Sequence, residues 1–268
     1  MKVMKFGGTS VGSTEAVLNV KKIVESQKES VIVVVSALSG VTDQLYRISQ
    51  LAASGNETYL DEYNQMFARH MQMIAETVLP EKQTEVELQI QEIFTDLLNI
   101  FRGIFLIKDT SVKITDTVVS YGEMISSVLI ANIIRGAVHF DSRRFIKTQN
   151  QFDKHIVDFK TTNELIQQIF KDAPSIVVCG GFIATDVHTN QVTNLGRGGS
   201  DYTAAILAAA LNASILEIWT DVDGFMTADP RIINNAYVID RLSYSEAMEL
   251  SNFGAKVIYP PTIFPAFH

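Results

Sequence analysis

A glycine-rich stretch at residues 194–205, NLGRGGSDYTAA, combines residue types that could bind an anion. Its three glycines permit positive φ angles and close approach of the backbone to a ligand. The apolar run after Ser200 predicts that a buried helix begins there, and a helix N-terminus beside a bare glycine turn attracts negative charge. Taken alone, such a loop is more often a capped helix with Arg197 as a solvated charge. The other motifs must therefore decide between the two interpretations.

A second glycine turn, KFGGTSVGST, follows the first predicted strand. Gly7 and Gly12 have the separation of a P-loop, but Ser13 stands where that motif requires lysine, so the P-loop interpretation fails. Lys5 instead precedes the turn, and its ammonium group could reach an anion held by the amides of Gly7, Gly8 and Thr9. The alternative is an edge-strand charge beside a plain tight turn. Because the lysine, the two adjacent glycines and a predicted helix start coincide, the stretch favours an anion site.

Small hydroxyl side chains crowd the end of the second predicted strand, at Ser36, Ser39 and Thr42. Each of them alone could simply cap the following helix, but together they suggest the polar floor of a pocket. Further along the chain, Glu123 lies beside a glycine in an otherwise apolar helical segment. This residue is either a surface glutamate or a carboxylate that faces a cleft and binds an amine.

These candidate residues are distributed over alternating predicted strands and helices. The runs MKVMKF, SVIVVVSA, GAVHF, SIVVCGG and SILEIWT are typical of strands, and the helical patterns between them predict right-handed βαβ units and a parallel sheet. From Thr42 to about Ile134 the pattern is helical, with breaks near SGN and LPEK. Two turn-rich segments, ATDVHTNQ and DVDGFMTADP, lie among the later elements. Ligands of open parallel sheets bind beyond the carboxyl ends of the strands, which is where the glycine turns fall.

Composition favours small-molecule chemistry. The 268 residues are 47% hydrophobic, enough for a large core in one α/β domain or in two closely joined lobes. With 22 basic and 30 acidic side chains the formal charge is −8, which disfavours binding to nucleic acid or to an anionic membrane.

The cysteine and histidine content and the lengths of the apolar runs indicate the cellular compartment and whether a structural metal is expected. Cys179 is the only cysteine and lies in an apolar run, so we expect a buried packing thiol and no internal disulfide. The five histidines form no ligand cluster, so no structural zinc is expected. No apolar run has the length of a signal peptide core or a membrane span. We therefore expect a cytoplasmic protein.

Five motifs in order resemble those of the aspartate kinases in the amino-acid kinase family: the Lys5 turn, the Ser36 strand end, SYGE, GRGGSDYTAA and WTDVDGFMTADPR. The resemblance covers essentially the whole chain, and the final stretch SYSEAMELSNFGAKVIYPPTI is most similar to the kinase portion of bifunctional aspartokinase–homoserine dehydrogenases. It implies an α/β fold, a three-layer α/β/α sandwich with a mainly parallel central sheet and a helical subdomain at 42–134. It also implies an amino-acid-binding lobe at about 1–170 and an ATP-binding lobe at about 171–268.

The resemblance implies an activity as well. The expected reaction is ATP-dependent phosphorylation of the β-carboxylate of L-aspartate to 4-phospho-L-aspartate, the first step of threonine, lysine and methionine biosynthesis. The implied cofactors are ATP and the Mg²⁺ that ATP carries, without a dedicated metal site. Relatives imply a homodimer and fusion to C-terminal regulatory domains and, in the bifunctional relatives, to homoserine dehydrogenase domains. Because these domains are absent from the 268 residues, we expect a kinase domain that is insensitive to threonine and lysine.

Motif by motif, the resemblance assigns three sets of residues. The catalytic set is Lys5, Gly7, Gly8 and Asp201. The substrate-binding set is Ser36, Thr42, Glu123, Arg197 and Ser200, with Glu123 facing the α-amino group and Arg197 pairing with the α-carboxylate. The nucleotide-binding set is Lys5, Gly8, Ser10, Thr220, Asp221, Met226, Arg231 and Lys256. Many relatives have tyrosine in place of Met226, so thioether packing would replace an aromatic contact to adenine, and Tyr259 replaces a common histidine.

Two alternatives stay open. Related kinases phosphorylate acetylglutamate, glutamate, carbamate or UMP on the same scaffold, although Glu123 and Arg197 suit a free α-amino acid. The chain could also be a non-catalytic ligand-binding or assembly module, against which the complete Lys5 turn and GRGGSD motif argue.

Overall fold

The computed structural model describes residues 1–151, 154–228, 232–252, 262 and 264–265. Within these residues the strands are β1 (Lys2–Phe6), β2 (Val31–Val35), β3 (Ala137–His139), β4 (Lys147–Gln151), β5 (Lys154–Val157), β6 (Ile176–Gly180), β7 (Ile183–Asp186), β8 (Val192–Asn194) and β9 (Ile215–Trp219). The helices are α1 (Thr14–Glu25), α2 (Val41–Ala53), α3 (Tyr59–Thr77), α4 (Pro80–Ile107), α5 (Val112–Ile133), α6 (Phe159–Ile169), α7 (Gly199–Ala210) and α8 (Tyr244–Asn252).

A five-stranded parallel sheet forms the centre of the molecule, in the order β3-β6-β2-β1-β9. All five residues of β2, VIVVV, are buried, as expected for a central strand covered on both faces. The register places Lys5 beside Val34 on one side and Ile218 on the other. Because the strands are parallel, the loops after β1, β2, β6 and β9 leave from the same edge of the sheet.

Two hydrophobic cores lie on opposite faces of this sheet. Met4, Phe6 and Val33 pack in the core that α1 to α5 complete. Their neighbours along the strands, such as Val3 and Ile32, pack in the core formed with α6 and α7. Alternating strand residues thus cover both faces, and the predicted three-layer sandwich with a parallel central sheet is confirmed.

A second sheet of four short strands, in the order β5-β4-β7-β8, was not predicted from the sequence. It is mixed, since β4 pairs parallel with β7 but antiparallel with β5, and β7 pairs antiparallel with β8. The segment ATDVHTNQ, predicted to be turn-rich, contains a turn, but its first three residues belong to β7. The turn itself lies after Asp186, whose side chain accepts hydrogen bonds from the amides of His188 and Thr189.

The helical segment between β2 and β3 consists of α2, α3, α4 and α5. The predicted breaks are confirmed, because α2 ends before SGN and α4 begins at Pro80, a favoured first helical position. A further break separates α4 from α5, where Lys108 adopts the left-handed conformation at φ 58°. None of the helices in the described ranges is long and apolar enough to cross a bilayer.

His70 on α3 is fully buried in the helical segment, and its Nδ1 lies 2.7 Å from the Met66 carbonyl oxygen. Burial lowers the pKa of His70 to about 4, whereas an unfolded histidine titrates near ~6.5. The stability contributed by the neutral imidazole is therefore present above pH ~6.5 and is lost as the pH falls through about 4.

We expect the free energy of unfolding to fall by about 2 kcal/mol more between pH 7 and pH 5 in the wild type than in His70→Phe, because phenylalanine has no proton to bind. Urea unfolding of both proteins at the two pH values measures the difference. An identical pH dependence in the two proteins would show that His70 does not titrate as its burial requires.

Candidate active site

Two adjoining cavities lie at the carboxyl ends of the central strands, with volumes of about 220 Å³ and 460 Å³. Both are lined by Lys5, Ser36, Thr42 and Glu123, so the two spaces meet at these side chains. The remaining residues of the smaller cavity are Phe182, Gly196, Gly198, Gly199, Ser200 and Asp201. Those of the larger cavity are Gly7, Gly8, Thr9, Ala37, Leu38, Ser39, Gly40, Asp43, Thr220 and Asp221.

Lys5, near the end of β1, lies at the junction of the cavities. Its Nζ atom is 2.7 Å from Oδ1 of Asp201 in the first turn of α7, and the two side chains are only 11% and 15% exposed. The turn passes close to this group: a Cβ atom at Gly7 would lie 3.5 Å from the same Nζ atom, an ordinary van der Waals contact. The ion pair therefore fixes a positive charge between the two spaces.

The turn after β1 presents backbone groups to the larger cavity. The Gly7 amide donates to the Trp219 carbonyl oxygen at 3.2 Å, so this amide, expected from the sequence to face an anion, is occupied by β9. The neighbouring amides of Gly8 and Thr9 donate to no acceptor within the described part of the chain. Two free N–H groups beside an ammonium group form a place for an anion.

Arg69 on α3 joins this turn to the loop between β2 and α2. Its two terminal nitrogens donate to the carbonyl oxygens of Ser39 and Gly12, at 2.9 Å and 2.8 Å. At the same contact a Cβ atom on Gly12 would lie 2.8 Å from the Ser39 Cβ atom, so only glycine fits without displacement. Arg69 thus holds together two loops that border the larger cavity.

We expect Arg69→Ala to lower the free energy of unfolding by about 1 to 3 kcal/mol, because two hydrogen bonds from a charged donor are lost. Nucleotide affinity should fall with it, since the loops at the larger cavity are no longer joined. Urea unfolding and nucleotide titration measure both effects, with Arg102→Ala on the exposed side of α4 as the matched control. Equal behaviour of the two variants would contradict the assigned role.

Glu123 on α5 is a buried acid that faces both cavities. Glu123 is only 4% exposed, and its Oε2 atom has no hydrogen-bond partner among the described residues. Burial raises the pKa of Glu123 to about 8, against the opposing effects of the Ala37 backbone and the Lys5 charge. Such a group is poised to accept a cation, because a bound ammonium would compensate its ionised form.

The glycine loop, residues 195–199, contributes a wall of the smaller cavity, which Glu123 also lines. Gly196 and Gly198 have φ angles of 69° and 70°, which favour glycine. The loop ends at the N-terminus of α7, where Ser200 is buried and lines the cavity. Backbone N–H groups and the helix dipole make this wall suitable for a carboxylate.

The structure brings most of the predicted site residues together. Lys5, Gly7, Gly8, Ser36, Thr42, Glu123, Ser200, Asp201, Thr220 and Asp221 line one or both cavities. Three others, Ser10, Arg197 and Met226, line neither cavity, and the Arg197 side chain is exposed on the loop between two lining glycines. Arg231 and Lys256 lie outside the described residues.

Lining residues that sequence reasoning did not single out include Phe182 in the smaller cavity, and Ala37, Leu38 and Asp43 in the larger one. Phe182 follows β6 at a left-handed φ of 65°, and a Cβ atom on Gly199 would lie 2.8 Å from its ring. The carboxyl end of β6 was a usable signal for Phe182, since ligands bind at that edge.

The part of the chain that the structure describes contains no cluster of side chains suited to a structural metal ion and no reactive thiol. No three side chains of histidine, cysteine, aspartate or glutamate come together there to hold a metal ion. Cys179 is fully buried, which raises the pKa of its thiol to about 12 and makes it inert as a nucleophile.

Comparison with curated proteins finds aspartokinases. The chain is 36% identical over 277 residues to the bifunctional aspartokinase/homoserine dehydrogenase of Buchnera aphidicola, covering 99% of this chain and 34% of that protein. It is 36% identical over 272 residues to lysine-sensitive aspartokinase 3 of Escherichia coli, covering 98% of this chain and 58% of that protein. The chain thus spans only part of each relative.

Solved structures and a family model agree with this result. A crystal structure of Escherichia coli aspartokinase III in complex with aspartate and ADP has a TM-score of 0.86 and 34% identity, covering 100% of this chain and 59% of that one. Clostridium acetobutylicum aspartate kinase has a TM-score of 0.81 and 26% identity, covering 99% and 57%. The model of the amino acid kinase family matches residues 1–268. With its matching fold and motifs, the chain belongs to the amino acid kinase family.

Proposed function

We propose that this chain transfers the γ-phosphoryl group of ATP to the β-carboxylate of L-aspartate, giving 4-phospho-L-aspartate and ADP. The observation that carries the proposal is the junction at Lys5 of two cavities with different linings. A structure of the related Escherichia coli aspartokinase III holds aspartate and ADP, which supports the same pair of ligands here.

The smaller cavity is proposed to bind aspartate. Its volume of about 220 Å³ suits a small amino acid, and its lining combines the Glu123 carboxyl group with the N-terminus of α7. Glu123 would pair with the α-ammonium group, while the N-terminus of α7 with Ser200 would hold the α-carboxylate. Arg197, exposed beside this wall, would reach the same carboxylate from the loop.

The larger cavity is proposed to hold the phosphates of ATP. The amides of Gly8 and Thr9, with Lys5, would contact the transferred group, and Thr220 and Asp221 would lie along the nucleotide. Ser10, Met226, Arg231 and Lys256 remain proposed nucleotide contacts on the resemblance alone. Mg²⁺ is proposed to enter with ATP; the carboxylates of Asp43 and Asp221 are hard oxygen ligands of the type it prefers.

The chemistry requires positive charge rather than a general base. The β-carboxylate of aspartate, with a reference pKa near ~3.9, is already ionised at neutral pH. Two unit negative charges ~4 Å apart repel by about 4 kcal/mol at an effective dielectric constant of ~20. The negative charges of the carboxylate and the γ-phosphate must therefore be compensated by positive charge as the two groups approach. A carboxylate oxygen then bonds to the γ-phosphorus while the bond to the bridging oxygen breaks and ADP leaves. Lys5, oriented by Asp201, would neutralise this charge.

Several wider features are proposed on the same basis. We place the reaction in the cytoplasm, as the first step of threonine, lysine and methionine biosynthesis. A homodimer and C-terminal regulatory or homoserine dehydrogenase domains are proposed from the relatives. The division into an amino-acid lobe at about 1–170 and an ATP lobe at about 171–268 stays a prediction.

The proposal is tested by measuring ADP release from ATP and Mg²⁺ with a panel of acceptors. L-aspartate should support turnover, whereas N-acetyl-L-glutamate, L-glutamate, carbamate and UMP should support little. Preference for another carboxylate would assign a different kinase of the same family. Binding of ATP without turnover on any acceptor would favour a non-catalytic ligand-binding module.

A further inference from the structure

A hydrogen-bonded pair, Asp116 and Asn194, joins helix α5 to the glycine loop of the smaller cavity. We propose that these two residues are positioning residues, which hold the glycine loop in the geometry that binds the substrate carboxylate. The inference rests on the proposed function of this cavity and names residues that the motif comparison did not assign to it.

The Asn194 side chain is bound at both ends of its amide. Its Nδ2 atom donates to Oδ1 of Asp116 at 2.7 Å, and its Oδ1 atom accepts from the Gly196 amide at 3.0 Å. A carboxylate only accepts and a backbone amide only donates, so the orientation of the Asn194 amide is determined by its partners. Asn194 thus connects the carboxylate of Asp116 on α5 to a backbone N–H group in the loop.

The same chain of hydrogen bonds continues to the cavity wall. Gly196 has a φ of 69°, a conformation that its hydrogen bond to Asn194 helps to maintain. Its carbonyl oxygen accepts from the Gly199 amide at 3.0 Å, at the start of α7. Asp116 therefore acts on the cavity through the backbone of the loop, without lining the cavity itself.

Helix α5 carries both Asp116 and Glu123, the residue proposed to bind the other end of the substrate. Asp116 and Glu123 lie about two turns apart, which is about 10 Å along the helix axis. Glu123 faces the smaller cavity, where it would bind the α-ammonium group. One rigid helix would thus set the separation between the group that binds the amine and the loop that binds the carboxylate.

The residues around Asp116 support its hydrogen bond with Asn194. Half-burial raises the pKa of Asp116, while the hydrogen bond from Asn194 and the charge of His155 oppose the rise. His155 Nε2 lies 3.8 Å from the other carboxylate oxygen of Asp116. The acid is thus enclosed by partners from β5 and β8.

A reversal of the donor and the acceptor gives a specific test. Asn194→Asp places two acids side by side and should break the contact. In the double variant Asp116→Asn/Asn194→Asp, the new asparagine donates to the new aspartate, which still accepts from the Gly196 amide. We expect Asn194→Asp to raise the KM for aspartate at least about tenfold, a free-energy difference of about 1.4 kcal/mol. The double variant should return to within about threefold of the wild type.

The KM for ATP should stay within about twofold in all of these proteins, because the larger cavity does not include the glycine loop. Asp172→Asn on the surface is the matched control and should behave as the wild type. An unchanged KM for aspartate in Asn194→Asp, no recovery in the double variant, or an equal rise in the KM for ATP would overturn the proposal.

Amide hydrogen exchange of the peptide that contains Gly196, measured without substrates, gives a second measurement. It should be faster in Asn194→Asp and return to the wild-type rate in the double variant; unchanged exchange would overturn the proposal. If the wild type does not phosphorylate aspartate, the proposed function fails, and the exchange series alone decides whether the pair holds the loop. If Asn194→Asp does not fold, Asn194→Ala takes its place, with the same expected rise in KM and in exchange rate.

Discussion

Replacing Lys5 by methionine is expected to lower the rate of ADP release with aspartate about 1,000-fold. The loss of one positive charge near ~4 Å from the reacting anions is worth about 4 kcal/mol at an effective dielectric constant of ~20, and each 1.36 kcal/mol is about tenfold in rate. The variant also leaves the Asp201 carboxylate, now 2.7 Å from Lys5 Nζ, without its partner beside the phosphates. Steady-state kinetics at saturating substrates measures the effect.

Lys2→Met is the matched control for this variant. Lys2 lies in the same strand and also forms an ion pair, with Glu217 at 2.7 Å, but it lines neither cavity. It should keep nearly all activity, because its loss removes a charge pair at a distance from the site. A Lys5→Met protein that turns over at the rate of Lys2→Met would remove Lys5 from the reaction.

Glu123→Gln is expected to raise the KM for aspartate about 100-fold, because a buried charged hydrogen bond to the ammonium group is worth about 2 to 3 kcal/mol. In the wild type the KM should fall as the pH rises from 6 to 8, by up to about tenfold per pH unit. The reason is that the free carboxyl group, with its pKa of about 8, must release a proton when the cation binds. Glutamine should abolish this pH dependence, whereas Glu92→Gln on the exposed side of α4 should keep it.

The same substitution should stabilise the free protein. Glu123 ionises near 4.5 when unfolded and near 8 when folded, so the wild type loses stability as the pH rises from about 4.5 to about 8. Glutamine does not ionise, so the variant does not lose this stability. At pH 7 its free energy of unfolding should be higher than that of the wild type by roughly 3 kcal/mol. Urea unfolding at pH 5 and pH 7.5 measures the difference. A variant that is less stable than the wild type at pH 7.5, or equally active with aspartate, would contradict the assigned role of Glu123.

The central sheet was predictable because its strands are short apolar runs separated by helical patterns. Residues at the carboxyl ends of those strands, such as Lys5 and Ser36, were placed at one edge by the rule for parallel sheets. The second sheet was not predictable, since β4 reads KTQNQ and has neither alternation nor an apolar run. Its strands are defined by pairing with distant partners rather than by local pattern.

Contacts between distant residues limited the prediction of the site in the same way. The hydrogen bonds of Arg69 to Gly12 and of Asn194 to Asp116 join residues 57 and 78 positions apart, and no spacing rule connects them. The burial that raises the pKa of Glu123 is also a tertiary property. Arg197 shows the reverse case, because its motif assigned it to the substrate carboxylate, whereas in the structure the residue is exposed and lines neither cavity.

The most direct test of the proposed reaction is to trap its product. Hydroxylamine converts an acyl phosphate to a hydroxamate, so incubation with ATP, Mg²⁺, L-aspartate and hydroxylamine should yield β-aspartyl hydroxamate in equal amount to the ADP released. Omission of aspartate, or use of the Lys5→Met protein, should reduce both products together. Release of ADP without hydroxamate, or hydroxamate formed equally well from another carboxylate, would contradict phosphorylation of the aspartate side chain.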